Sequence, residues 1–189
     1  MRKLIYYIAT TADGFIAAED GSFAAFPQAG EHFRDLIADY PETFPAQARA
    51  PLGITAPNQR FDTVLMGRAT YDVGASVGLT NPYPHLAQYV FSRSMQRSAD
   101  PQVTLVSTEA LPFVRSLKQR PGRDIWLCGG GKLAADLFAE IDELILKINP
   151  LVLGQGLPLF ARAVPPTLMS LIERKAYANG YVRMHYALR

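Results

Sequence analysis

The chain has 189 residues, a length at which one domain can bury roughly 70% of its unfolded surface, so neither disulfides nor a structural metal are needed to complete a core. Its 49% apolar and 19% charged residues, with nine Tyr and ten Phe, describe an ordered globular protein and exclude a disordered chain. A net charge of +2 without any run of Lys or Arg excludes a broad nucleic-acid or membrane-surface footprint, so any cationic function is local.

Arg2-Lys3 followed by Leu4 to Ala9 imitates the start of a signal peptide, but the apolar run is short and Thr10-Thr11-Ala12-Asp13-Gly14 breaks it. A cytoplasmic protein without a spanning segment is expected. Leu4 to Ala9 is β-rich and almost continuously apolar, the pattern of a central strand buried on both faces. After the Asp13-Gly14 turn, Phe15-Ile16-Ala17 returns to apolar character. Glu31 to Tyr40 carries Phe33, Leu36, Ile37 and Tyr40 at helical spacing, with Glu31, Asp35 and Asp39 on another side, where a solvated acidic face is the ordinary reading. Pro41 to Arg60 contains Pro41, Pro45, Pro51, Gly53 and Pro57; a loop of about twenty residues is predicted there, bordering a substrate site as a lid.

Asp62 to Tyr71 reads as strand, glycine and helix, which puts Arg68 and Thr70 in a first helical turn, where a guanidinium, a hydroxyl and free N–H groups can converge on a phosphate. Leu86 to Phe91 is another strand, followed directly by Ser92-Arg93-Ser94. Val103 to Val106 is a short strand, and Glu109 to Gln119 is a helix that Pro121-Gly122 ends. Ile125 to Phe138 then repeats the pattern most sharply: an apolar strand containing Trp126 as core, Gly129-Gly130-Gly131, and a helix. Three residues without side chains let a ligand approach the backbone, and the helix start favours an anion such as a pyrophosphate; the same turn also serves as a plain tight connection. Cys128, the single cysteine, reads as a small buried filler.

Glu143 to Ile148 is a further strand, Pro150 to Phe160 an apolar glycine-rich connection, and Thr167 to Tyr177 with Tyr181 to Leu188 an antiparallel pair around Asn179-Gly180. The whole is a single α/β domain over residues 1–189, with a mostly parallel sheet and an antiparallel C-terminal hairpin. Ligands of such sheets bind outside the carboxyl ends of the strands, where Arg68, Arg93 and the three glycines all fall. A Rossmann fingerprint is absent, because the glycines come late and lack the spaced third member. His85 and His185 have no metal-ligand spacing, and no metal is expected.

Taken in order, Ala12 to Ala17, Gly67-Arg68-Ala69-Thr70-Tyr71, Phe91-Ser92-Arg93, Cys128 to Gly131 and Pro150 to Phe160 resemble the three-layer dihydrofolate reductase-like fold, in the branch that contains the riboflavin-biosynthesis reductase domain. The resemblance implies NADPH, with Ala9 and Ile16 at the nicotinamide, Gly67, Arg68 and Thr70 on the phosphates, Ser92 and Arg93 near the adenosine 2′-phosphate, and Gly129, Gly130, Gly131, Lys132 and Leu133 along the pyrophosphate. It also implies a reductase passing hydride to a C=N or C=O of a small pteridine- or pyrimidine-like or ribosyl-linked substrate, and a homodimer. Where dihydrofolate reductases carry a carboxylate on the first helix, this chain has His32, flanked by Glu31 and followed one turn later by Asp35; these three are the candidate proton donors. The family's Pro-Trp pair is replaced by Ala25-Phe26-Pro27. Dihydrofolate reduction itself and NADPH binding without turnover are the alternatives.

Overall fold

A computed structural model describes residues 1–188. Ten strands and five helices alternate along the chain: β1 (Leu4–Thr11), β2 (Phe15–Ala17), α1 (His32–Asp39), α2 (Ala46–Arg49), β3 (Phe61–Gly67), α3 (Arg68–Ala75), β4 (Ala87–Phe91), β5 (Val103–Val106), α4 (Ala110–Gln119), β6 (Asp124–Gly129), α5 (Gly131–Asp136), β7 (Ile141–Asn149), β8 (Leu157–Pro158), β9 (Met169–Ala176) and β10 (Val182–Leu188). Eight strands form one sheet in the order β5-β4-β3-β6-β1-β7-β10-β9. Pairing is parallel from β5 to β7 and antiparallel for β10-β9, as the sequence pattern predicts, and the hairpin joins the sheet through an antiparallel β7-β10 pair.

β1 lies near the middle because both its faces are apolar: Leu4, Ile5, Tyr6 and Tyr7 are each at most 1% exposed. Its odd residues join Leu36, Tyr40, Phe61, Tyr71 and Trp126 in a core beneath α1 and α3, and its even residues join Val114, Leu117, Leu133 and Leu137 in a core beneath α4 and α5. Two cores on one sheet make the three layers. Trp126 is core as expected, and its indole N–H donates to the Tyr7 carbonyl at 2.9 Å.

The Pro41 to Arg60 segment departs from the predicted lid. It holds a 3-10 turn over Pro41–Thr43 and the short α2, with Pro41, Glu42 and Ile54 buried. Its own side chains satisfy a backbone that prolines keep out of regular structure. Arg49 donates to the carbonyls of Pro41 at 2.6 Å and Ala56 at 2.9 Å, and the Glu42 carboxylate accepts the N–H groups of Gln59, Arg60 and Phe61 at 3.1, 2.7 and 2.6 Å. The segment is a packed wall.

The acidic stripe of α1 stays largely exposed, as a solvated face would, but each of its acids also has a protein partner. Glu31 accepts the Ala178 N–H at 2.6 Å, Asp35 meets Lys175 at 2.5 Å and the Tyr177 hydroxyl at 2.6 Å, and Asp39 meets Arg183 at 2.6 Å. The four-residue spacing aligns three acids on one face of the helix, and that face docks on the hairpin of β9 and β10. The Pro150 to Phe160 connection contains β8, which pairs with β2 as a second small sheet.

Candidate active site

β3, β4 and β6 are parallel neighbours, so their carboxyl ends open onto one edge, and the glycine turns after β3 and β6 meet there. A methyl placed on Gly67 would stand 3.7 Å from both the Gly129 carbonyl oxygen and the Gly130 nitrogen, and 3.8 Å from Leu133. One placed on Gly130 would stand 3.5 Å from the Thr70 hydroxyl and 4.0 Å from the Ile16 side chain. Gly129 has φ +137°, a conformation that side chains disfavour, and the space beside it is bounded by Thr70 and Ile8. Residues more than a hundred positions apart therefore share one small cradle of backbone and hydroxyl.

Arg68, the first residue of α3, has its guanidinium 2.6 Å from Asp72 one turn on and 3.5 Å from the Ser94 hydroxyl, which links this turn to the one after β4. Ser92 is buried and braces that second turn, its hydroxyl accepting the N–H groups of Ser94 and Met95 at 3.3 and 3.0 Å. Arg93 and Lys132 are exposed cations on the same rim. Leu133 is buried and serves the α4/α5 core. Gly131 is shut in by the chain after β8, whose Ala161 N–H donates to the Gly131 carbonyl at 3.0 Å.

The candidate proton donors stand apart from this cradle, at the head of α1. His32 is 1% exposed rather than superficial. Its ring stacks on Tyr181 at 3.9 Å and 11°, and Nδ1 lies 3.1 Å from the Asn179 amide nitrogen, so the turn of the hairpin closes over it. Burial holds the imidazole below its usual pKa and keeps it neutral at pH 7. Asp35 is held below the usual carboxylate range by Lys175 and the Tyr177 hydroxyl. Glu31, His32 and Asp35 thus all spend polar atoms on the hairpin.

A side chain that motif reading passed over is Lys147. It pairs in register with Ala9 of β1, and its Nζ lies 4.2 Å above the centre of the Tyr7 ring. The signal was a lone charge inside Leu144-Ile145-Leu146-Lys147-Ile148, an otherwise apolar stretch of β7. Cys128 is half-buried against the Tyr7 core, and burial pushes its thiol up to about 12, which fits an inert filler. Among the described residues no helix is long and apolar enough to cross a membrane.

Sequence and structure comparisons identify the family and the fold. The family model of the RibD C-terminal domain matches residues 2–183. An uncharacterised protein, YwjB of Bacillus subtilis strain 168, is 34% identical over 187 residues, covering 98% of this chain and 97% of that protein. Among solved structures, a candidate riboflavin biosynthesis protein from Shewanella sp. PV-4 superposes with a TM-score of 0.73 at 22% identity, covering 99% of each chain. Dihydrofolate reductase from Enterococcus faecalis, solved with NADP(H), superposes with a TM-score of 0.62 at 14% identity over 99% of this chain and 96% of that one. The fold is therefore dihydrofolate reductase-like, and by the match across nearly its whole length the chain belongs to the RibD C-terminal domain family.

Proposed function

We propose that this protein is an NADPH-dependent reductase that delivers hydride to a C=N or C=O carbon of a small pteridine- or pyrimidine-like, or ribosyl-linked, substrate. The observation that carries this reading is the cradle where Gly67, Thr70, Gly129 and Gly130 converge, ringed by Arg68, Arg93 and Lys132. Backbone without side chains, one hydroxyl and three cations suit a dinucleotide's phosphates, and the space at Gly129 and Gly130 that side chains would fill, bounded by Thr70, Ile8 and Ile16, fits the group. The bound dinucleotide would supply the hydride. The chain supplies the rest: Arg68 and Thr70 hold phosphate, Arg93 reads the 2′-phosphate, and Ala9 and Ile16 frame the nicotinamide. The stacked His32 and the packed 41–60 segment wall the substrate side and keep out water.

The test is a fluorescence titration with NADPH and NADH. NADPH is expected to bind at least about tenfold more tightly, the worth of a charge-assisted contact to the extra phosphate. Arg93→Ala should erase that preference, and Arg68→Ala should weaken both dinucleotides about tenfold. If neither dinucleotide binds the wild type, the reductase reading fails.

The assembly we infer is a homodimer joined along β9. This edge strand is solvent-facing over most of its length, with Leu171 52% and Ile172 51% exposed and Leu168 before it 79% exposed, a row that a monomer would leave open to further pairing. Light scattering on the eluting protein should give twice the chain mass, and Leu171→Lys should give one chain mass; a monomeric wild type ends this inference.

A further inference from the structure

Lys147, paired in register with Ala9, is a charged side chain to which the proposed reaction assigns no task. Lys3, Lys118 and Lys175 each close on a carboxylate, whereas Lys147, half-buried, forms no ion pair among the described residues and rests on the Tyr7 ring. It sits two residues from the carboxyl end of β7, beside Ala9, on the side of the sheet covered by α1. The groups around it are Tyr7 from β1, Cys128 from β6, His32 from α1 and Arg183, its register partner on β10. The Arg183 charge is answered by Asp39 at 2.6 Å and Glu173 at 3.2 Å. Tyr7, Cys128 and His32 are all pushed by burial toward their neutral forms at pH 7. One uncompensated ammonium therefore faces this wall, and burial lowers it to about 8, where it can give up a proton near neutral pH.

We propose that the Lys147 ammonium stands at the hydride-transfer site and protonates the heteroatom of the substrate, a task the hairpin-bound His32, Glu31 and Asp35 do not perform. The proposal rests on the NADPH-reductase reading. The substrate carbon accepts the hydride, the electron pair of its C=N or C=O bond moves to nitrogen or oxygen, and that atom takes the proton from Lys147 Nζ. NADPH is oxidised to NADP⁺, and the neutral amine regains a proton from water.

The experiment is competitive acetylation of the intact protein with acetic anhydride from pH 6 to 11, read at each lysine by peptide mass spectrometry, free and saturated with NADPH or NADP⁺. Lys147 should label with a midpoint near pH 8, against about 10.4 for an ordinary lysine side chain in water. At pH 7 it should label at least about threefold faster in the NADP⁺ complex than in the NADPH complex, because the oxidised ring is positive and repels the ammonium. A cation serving only to pack on Tyr7 would not respond to the redox state of a bound dinucleotide. The proposal is overturned if both dinucleotides bind and the Lys147 profile is the same in each, or if its midpoint lies near the ordinary lysine value of about 10.4. It is also overturned if Lys147→Met abolishes NADPH binding while its melting temperature is kept, since the lysine would then be a cofactor ligand. Failure of the wild type to bind either dinucleotide is a separate outcome that removes the reductase reading and this assignment with it.

Discussion

Glu42→Ala is expected to lower the unfolding free energy by about 3 kcal/mol, or ~6–12 °C in melting temperature for a domain of this size. The Glu42 carboxylate is fully buried and accepts three consecutive backbone N–H groups, those of Gln59, Arg60 and Phe61, where the chain enters β3. Removing it strands three donors at a point with little access to water, and each orphaned donor costs more than an average hydrogen bond contributes. Glu42→Gln keeps one acceptor oxygen and should lose roughly half as much. Because the same contact holds the 41–60 segment against the sheet, Glu42→Ala should also speed proteolysis between Ala46 and Arg60 by at least about tenfold. Chemical denaturation and limited digestion read the two effects; a loss below about 1 kcal/mol would mean that water replaces the carboxylate.

Gly131→Ala should be damaging for the opposite reason, an atom added where none fits. In an exposed helix, glycine to alanine would gain up to about 1 kcal/mol. Here the new methyl would overlap the Pro158 carbonyl oxygen and stand 3.2 Å from both Ala161 N and Leu159 O, all backbone atoms tied down by neighbouring hydrogen bonds. Overpacking against backbone costs about 3 kcal/mol at such a site, so the clash outweighs the propensity and the net loss should be about 2 kcal/mol. Gly67→Ala is the control. Its methyl meets nothing nearer than 3.7 Å, so stability should stay within about 0.5 kcal/mol while dinucleotide binding, measured by the same titration, weakens. Equal stability losses in the two variants would show that the chain after β8 does not confine Gly131.

The two variants also separate what could be read along the chain from what could not. Gly67 and Gly131 stand in similar strand-glycine-helix patterns, and both were expected to serve phosphates. That Gly67 faces the cradle while Gly131 is packed under the Pro158 carbonyl depends on where β8 crosses, and β8 is two residues long with no pattern of its own. Likewise, Glu31, Asp35 and Asp39 advertise one helical face, but a face of acids is as consistent with water as with Ala178, Lys175 and Arg183, which lie far away in the chain.

The sequence alone determined the architecture and the edge that carries the candidate cofactor site, because both are written locally. Apolar runs of strand length, glycines that end them and amphipathic segments between them specify a parallel sheet with turns at its carboxyl edge, and Asn179-Gly180 marks the antiparallel return. Only the tertiary structure decided what each polar side chain does. Burial, lost hydration and the approach of distant elements turned His32 into a stacked, neutral ring, Glu42 into a backbone anchor and Lys147 into a cation resting above Tyr7. Those properties belong to pairs of residues that meet only after folding, and no local pattern in a single chain encodes them.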